Sequence, residues 1–107
     1  MSQLTMIGAI PGVRSAVLGD RTGALLDALR EADGESTAAV SGFLATALAE
    51  AGSHLGLGEL SRLSLAGATR GCLMAVSGEA VVTARVEPVS ALPGVEKALE
   101  TALRGQG

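Results

Sequence analysis

Aromatic side chains are nearly missing from this chain, which has one Phe, no Trp and no Tyr in 107 residues. That removes the stacking platform a single-stranded nucleic acid needs. A formal net charge of -3 and a pI near 5.0 remove the basic footprint for duplex phosphates. A single Cys rules out an internal disulfide, and with a single His it falls short of the roughly four ligands of a zinc site. No apolar run reaches the ~20 residues that cross a bilayer. The start, Met1-Ser2-Gln3-Leu4-Thr5, has neither the basic nor the long apolar segment of a signal peptide. A cytoplasmic protein is expected. Catalytic words are missing as well: no P-loop, GxSxG or GxGxxG occurs. Leu55-Gly56-Leu57-Gly58-Glu59 carries only two glycines and precedes a strand pattern, so it reads as a loop. The acidic residues are scattered over turns, loops and helix faces. No catalytic residue, metal or cofactor is expected.

What remains is aliphatic. Hydrophobic residues make up 48% and charged residues 18%, enough to bury one core, and residues 1–107 read as one domain. Gln3 to Ile10 reads as a short helix that Pro11-Gly12 interrupts. Val13 to Leu18 has strand character, and Asp20-Arg21-Thr22-Gly23 has the residue order of a tight turn. Ala24 to Leu29 is helical by propensity. A strand is nevertheless expected there, because the turn returns the chain beside a Val-rich segment and six or seven residues make a poor isolated helix.

Glu35 or Ser36 to Ala51 is the clearest helix, about 25 Å long, with Glu35 at its positive end and Gly52 as its stop. His54 reads as a helix-end residue. Leu60 to Leu65 alternates at strand period. Cys72 to Val76 and Ala80 to Val86 form a hairpin around Ser77-Gly78-Glu79, with Cys72 as a buried small apolar side chain. Pro88 ends the last strand, and Pro93 to Leu103 makes the final helix. The order is helix, strand, strand, helix, three strands, helix. Short connections make the five-stranded sheet antiparallel, and its two apolar faces call for helices on both sides, an α+β sandwich.

The central helix is apolar on two opposite sides. Val40, Phe43, Leu44, Ala47, Leu48 and Ala51 form a broad bulky face, expected to lie on the sheet. Ala38, Gly42, Ala45, Ala49 and Gly52 form a smooth second stripe, expected to face outward, with Thr46 on its flank. Alanine filling a solvent face is one reading of that stripe. A close-packing surface for a second protein is the other, favoured by Gly42, which costs a helix interior about 1 kcal/mol against Ala. The expected contact set is Ala38, Gly42, Ala45, Thr46 and Ala49, with Leu63 and Leu65 on the following strand. At a sheet edge that strand would offer a hydrogen-bonding template, unless Arg62 guards it.

Several words in this order carry a resemblance. They are Ile10-Pro11-Gly12-Val13 before a strand and Val17-Leu18-Gly19-Asp20-Arg21-Thr22-Gly23 as strand and turn. Ala38-Ala39-Val40 in an Ala-rich helix and Leu55-Gly56-Leu57-Gly58-Glu59-Leu60 follow. Arg70-Gly71-Cys72-Leu73-Met74-Ala75-Val76 then enters the closing hairpin. Over nearly its whole length the chain resembles the Roadblock/dynein light-chain family, including bacterial gliding regulators of the MglB kind. The resemblance implies a five-stranded antiparallel sheet, a homodimer formed through the long helix and the strand after it, and a small Ras-like GTPase or a motor complex as partner. It also implies a regulator that donates no catalytic side chain. A structural dimerisation adaptor without effect on nucleotide hydrolysis is the alternative, and a small-molecule sensor is disfavoured for want of residues to line a pocket.

Overall fold

The computed structural model of the chain describes residues 3–58 and 61–106. Its elements are α1 (Gln3–Gly8), β1 (Val13–Asp20), β2 (Leu25–Leu29), α2 (Gly34–His54), β3 (Arg62–Ala66), β4 (Gly71–Ser77), β5 (Ala80–Val86), a 3-10 turn (Val89–Ala91) and α3 (Leu92–Gln106). The strands form one antiparallel sheet in the order β2-β1-β5-β4-β3. Helices cover both faces, as the sequence leads one to expect.

Segment 25–29 is a strand in spite of its helical composition, and the turn explains why. One Asp20 carboxylate oxygen accepts from the Thr22 N–H (2.9 Å), the Thr22 hydroxyl (2.6 Å) and the Ala24 N–H (3.1 Å). The Gly23 N–H closes the turn onto the Asp20 carbonyl at 3.0 Å, with Gly23 at a φ of 91°. These bonds, the Thr22 hydroxyl's first, hold the Asp20 carboxyl below its ordinary pKa. At the far end of β2, the Arg30 guanidinium donates to the carbonyls of Gly8 (2.8 Å), Val13 (3.2 Å) and Arg14 (2.9 Å). It thereby ties the last turn of α1 to the start of β1.

The main core lies between the sheet and α1 and α3. Leu4 and Ile7, then Val95 and Leu99, press onto Ala16, Leu73, Ala75, Val82, Ala84 and Val86. A smaller core sits under α2, where Ala45 meets Met74 and Val81, with half-buried Leu44, Leu48, Leu63 and Val76 around it.

Several element ends differ from the sequence reading by a few residues, among them α1, which ends at Gly8, and α3, which runs to Gln106; the end of α2 is the instructive one. Gly52 does not stop α2, and the helix continues to His54. The stop is Gly56, at a φ of 73°. The Leu57 N–H donates to the Gly52 carbonyl at 2.9 Å and the Gly56 N–H to that of Ser53 at 3.1 Å, a Schellman closure. Leu60, expected to open β3, lies outside the described residues.

Candidate protein-interaction surface

Helix α2 packs over β1, β5 and β2, and the way it sits reverses the expected orientation. Ala38, Gly42, Ala45 and Gly52 are buried, together with Ser41. Ala38 is 1% exposed and Ala45 3%. Of the expected contact set, Ala38, Gly42 and Ala45 therefore face inward and not outward as the sequence suggests. Ala49 is half-buried. Thr46 is exposed and donates its hydroxyl to the Gly42 carbonyl at 3.2 Å.

The reason is close approach at the Asp20–Gly23 turn. A Cβ on Gly42 would stand 2.7 Å from both Cα and N of Gly23 and 3.1 Å from the Asp20 carbonyl oxygen. A Cβ on Gly19 would meet that of Ala38 at 3.1 Å. The small stripe lets the helix lie almost on the backbone of the sheet. There the Ser41 and Thr83 hydroxyls share a buried hydrogen bond of 2.6 Å. A periodicity argument shows which residues share a face, but not which face turns inward.

The bulky stripe consequently points out. Phe43, the chain's one aromatic residue, is 72% exposed and Val40 59%. Ala39 and Ala47 are exposed beside them, with Leu44 and Leu48 half-buried at the margin. Leu55 and Leu57 extend the apolar surface past the helix end at 71% and 65% exposure.

The sheet's two edges differ. Edge strand β2 is interrupted, because its register with β1 shifts between Leu18 and Gly19, and its Ala28 N–H donates to the Asp27 carboxylate at 2.9 Å. Both features blunt an edge. At the other end β3 runs in unbroken register along β4. Leu65 on it is 47% exposed and Leu63 half-buried. Arg62 does not guard this edge, since its guanidinium reaches Glu100 of α3 at 3.0 Å.

Between α2 and the β3–β4 end of the sheet lies an open cleft of about 550 Å³, lined by Thr37, Leu65, Cys72, Thr83 and three arginines. The arginines are matched internally: Arg14 and Arg70 pair with Glu87 at 3.7 and 2.9 Å, and Arg85 pairs with Glu31 at 2.9 Å. The cleft was not legible in the sequence, because its walls come from five separate segments. Burial pushes the Cys72 thiol above its ordinary pKa, and the Arg85 guanidinium pulls it partly back. Among the described residues no group of three or more His, Cys, Asp or Glu could hold a metal ion, and no helix is long and apolar enough to cross a membrane.

The architecture is thus an antiparallel α+β sandwich with one helix face and one sheet edge left open. It is the Roadblock fold. The chain superposes on MglB of Myxococcus xanthus with a TM-score of 0.77 at 17% identity, over 94% of this chain and 81% of that one. A Roadblock/LC7 domain from Streptomyces avermitilis gives 0.75 at 15%, over 99% and 96%. An MglB in a tetrameric arrangement gives 0.75 at 18%, over 95% and 83%. No protein-family model and no curated protein matches the sequence. The likeness expected from the sequence words is therefore met at the level of the fold.

Proposed function

We propose that the chain, acting as one domain over residues 1–107, is a cytoplasmic, homodimeric regulatory module that binds a small Ras-like GTPase. The observation that carries this reading is the outward bulky stripe of α2, with Val40 and Phe43 at its centre, beside the open edge of β3. Leu63 and Leu65 stay in the proposed contact set. Val40, Phe43 and Ala47 take the place of the buried Ala38, Gly42 and Ala45. The Roadblock fold, shared with MglB proteins, supports the choice of partner. Helix α2 contains neither Arg nor Lys, so the helix itself has no guanidinium or ammonium to lend to a phosphoryl-transfer transition state. Any effect on hydrolysis would come from reshaping or tethering the GTPase. No nucleic acid and no membrane insertion belong to this reading.

The test is to titrate the purified chain onto a small Ras-like GTPase of the same organism, in its GDP and GTP-analogue forms, and to follow complex formation and GTP turnover. Binding with faster turnover supports a regulator. Binding with unchanged turnover supports the adaptor alternative. Lack of binding in every nucleotide state overturns the assignment of the partner.

A further inference from the structure

Three of the eight basic residues of a chain with net charge -3 line one cleft. Arg14 comes from β1, Arg70 from the turn between β3 and β4, and Arg85 from β5, so only folding brings them together. Two carboxylates answer them. Glu87 belongs to the lining and pairs with Arg14 and Arg70, while Glu31 pairs with Arg85. Three guanidinium groups against two carboxylates leave one positive charge over.

The pairing is uneven. Arg85 is committed, with Nε 2.9 Å from a Glu31 oxygen and Nη2 donating to the Thr37 hydroxyl at 3.3 Å. Glu31 is fixed in turn, because its two oxygens accept from the Ser15 hydroxyl at 3.4 Å and the Asp33 N–H at 3.2 Å. Glu87 serves two cations and holds only one closely. Arg70 Nε lies at 2.9 Å, but Arg14 Nη2 at 3.7 Å is beyond hydrogen-bond length. A guanidinium carries five N–H donors. Among the described residues, the Arg14 side chain thus has a counter-ion but no acceptor at hydrogen-bond distance. The other half of the cleft is apolar. Leu65 and Cys72 continue there into a groove with Val40, Leu44 and Met74 along α2.

We propose that this cleft binds a small organic anion, a carboxylate or phosphate monoester carrying a short alkyl group. The planar guanidinium fork matches either oxyanion, and a bound oxyanion supplies Arg14 and Arg70 with the acceptors that Glu87 leaves wanting. The alkyl group lies along Leu65, Cys72 and Met74, where no aromatic side chain offers a ring to stack on. A volume of about 550 Å³ falls among those of small-molecule sites. The sequence disfavours a sensor for want of lining residues, and folding assembles them from separate segments. This site stands apart from the GTPase reading. Its charged half contains none of the proposed contact residues, although Val40 and Leu65 belong to both surfaces.

Cys72 reports occupancy, being the one cysteine in the chain and part of the lining. Its alkylation by the neutral reagent iodoacetamide, at mildly alkaline pH and low salt, is followed by mass spectrometry. The probes are hexanoate, hexyl phosphate, inorganic phosphate and hexanol, and calorimetry gives their dissociation constants. Hexanoate and hexyl phosphate should slow alkylation saturably, and added salt should weaken both. Inorganic phosphate should protect less at equal concentration, and hexanol not at all. Arg70→Gln should weaken binding of the two hexyl anions by about five-fold, the upper end for an exposed charge pair. Glu87→Gln, which releases two guanidinium groups, should tighten it by a similar factor. A misfolded variant only loses binding, so the opposite signs separate a binding role from a structural one. Lys97→Gln makes the same charge change as Arg70→Gln on exposed α3 surface and should alter nothing. No protection and no heat with either hexyl anion overturns the site. Protection by hexanol equal to that by hexanoate, or equal weakening by Lys97→Gln and Arg70→Gln, overturns the role of the arginines. Inorganic phosphate binding as tightly as hexyl phosphate overturns the ligand class.

Discussion

Gly42→Ala tests the seating of α2 more sharply than any change on its outer face. On helix propensity alone the substitution stabilises, by about 1 kcal/mol in a helix interior. The structure opposes this. The added methyl would meet the Gly23 Cα and N at 2.7 Å and the Asp20 carbonyl oxygen at 3.1 Å. All three are backbone atoms, and Gly23 is held by its 3.0 Å hydrogen bond to Asp20, so no flexible side-chain end can swing aside. Forcing a methylene into such a contact costs about 1–3 kcal/mol. Backbone as the obstacle argues for the upper part of that range, so the net loss should be about 1–2 kcal/mol. In a domain of this size that is roughly 4–8 °C of Tm per kcal/mol. Urea unfolding followed by circular dichroism, at one fixed protein concentration because association shifts the apparent stability, should show a lower midpoint at unchanged slope. Ala47→Gln, on the exposed side of the same helix, should leave the midpoint where it is when both proteins are diluted below their association range. A Gly42→Ala protein as stable as the parent or more so, with Ala47→Gln destabilised, would put the small stripe outside and refute the packing described here.

Three further outcomes follow. Phe43→Asp, at a position 72% exposed, should leave the subunit folded by circular dichroism while weakening association by ~30-fold or more, as expected of a buried aromatic anchor worth about 2 kcal/mol; unchanged sedimentation and unchanged partner binding would remove Phe43 from the interface. The Asp20 carboxyl has its pKa lowered from 3.8 by the Thr22 hydroxyl and neighbouring N–H groups. Its contribution is therefore complete above the unfolded value and is lost as pH falls through the lower folded one. The melting temperature of Asp20→Asn should accordingly trail the parent at neutral pH and converge with it in acid, and a gap that stays constant into strong acid contradicts the assignment. Ser41→Ala strands the buried Thr83 hydroxyl, now 2.6 Å from Ser41, at a cost of about 1–3 kcal/mol. The double variant Ser41→Ala/Thr83→Val should recover most of that loss in denaturant titrations, and simple additivity would mean that the two hydroxyls are not coupled.

The sequence was informative where physics is local. Val13 to Leu18 and Ala80 to Val86 are β-rich runs bounded by turn residues, and both are strands. Even Leu25–Leu29, a helical composition, was recoverable from the Asp20–Gly23 turn. The C-terminus of α2 was misjudged because Gly52 and Gly56 carry the same propensity, and only Gly56 adopts the left-handed conformation. The larger error has the same root. Both stripes of α2 are apolar, and side-chain bulk alone points to the wrong one as buried. Which stripe goes in is decided by Gly23, nineteen residues earlier in the chain, whose backbone leaves no room for a side chain at position 42. No window on the helix contains that fact. The cleft walled by Leu65, Cys72, Thr83 and Arg85 is a longer-range product still, and nothing in the spacing of those residues announces it.

The corrected orientation changes the physical reason for association. An Ala and Gly surface buries little area per residue and needs backbone-to-backbone approach, as it obtains here against β1. A Val and Phe surface buries much more, and each exposed square ångström favours cover by about 25 cal/mol. Left in water it also exposes the chain to indiscriminate sticking. The sheet limits that risk. Its β2 edge is broken in register and one of its N–H groups is turned onto Asp27, whereas β3 is regular and open. A sheet open at both ends can add copies without limit, but one open at a single end closes after one two-fold step. The small residues that draw α2 onto the sheet and the blunted β2 edge thus act toward the same end, presenting one apolar stripe and one regular edge for association.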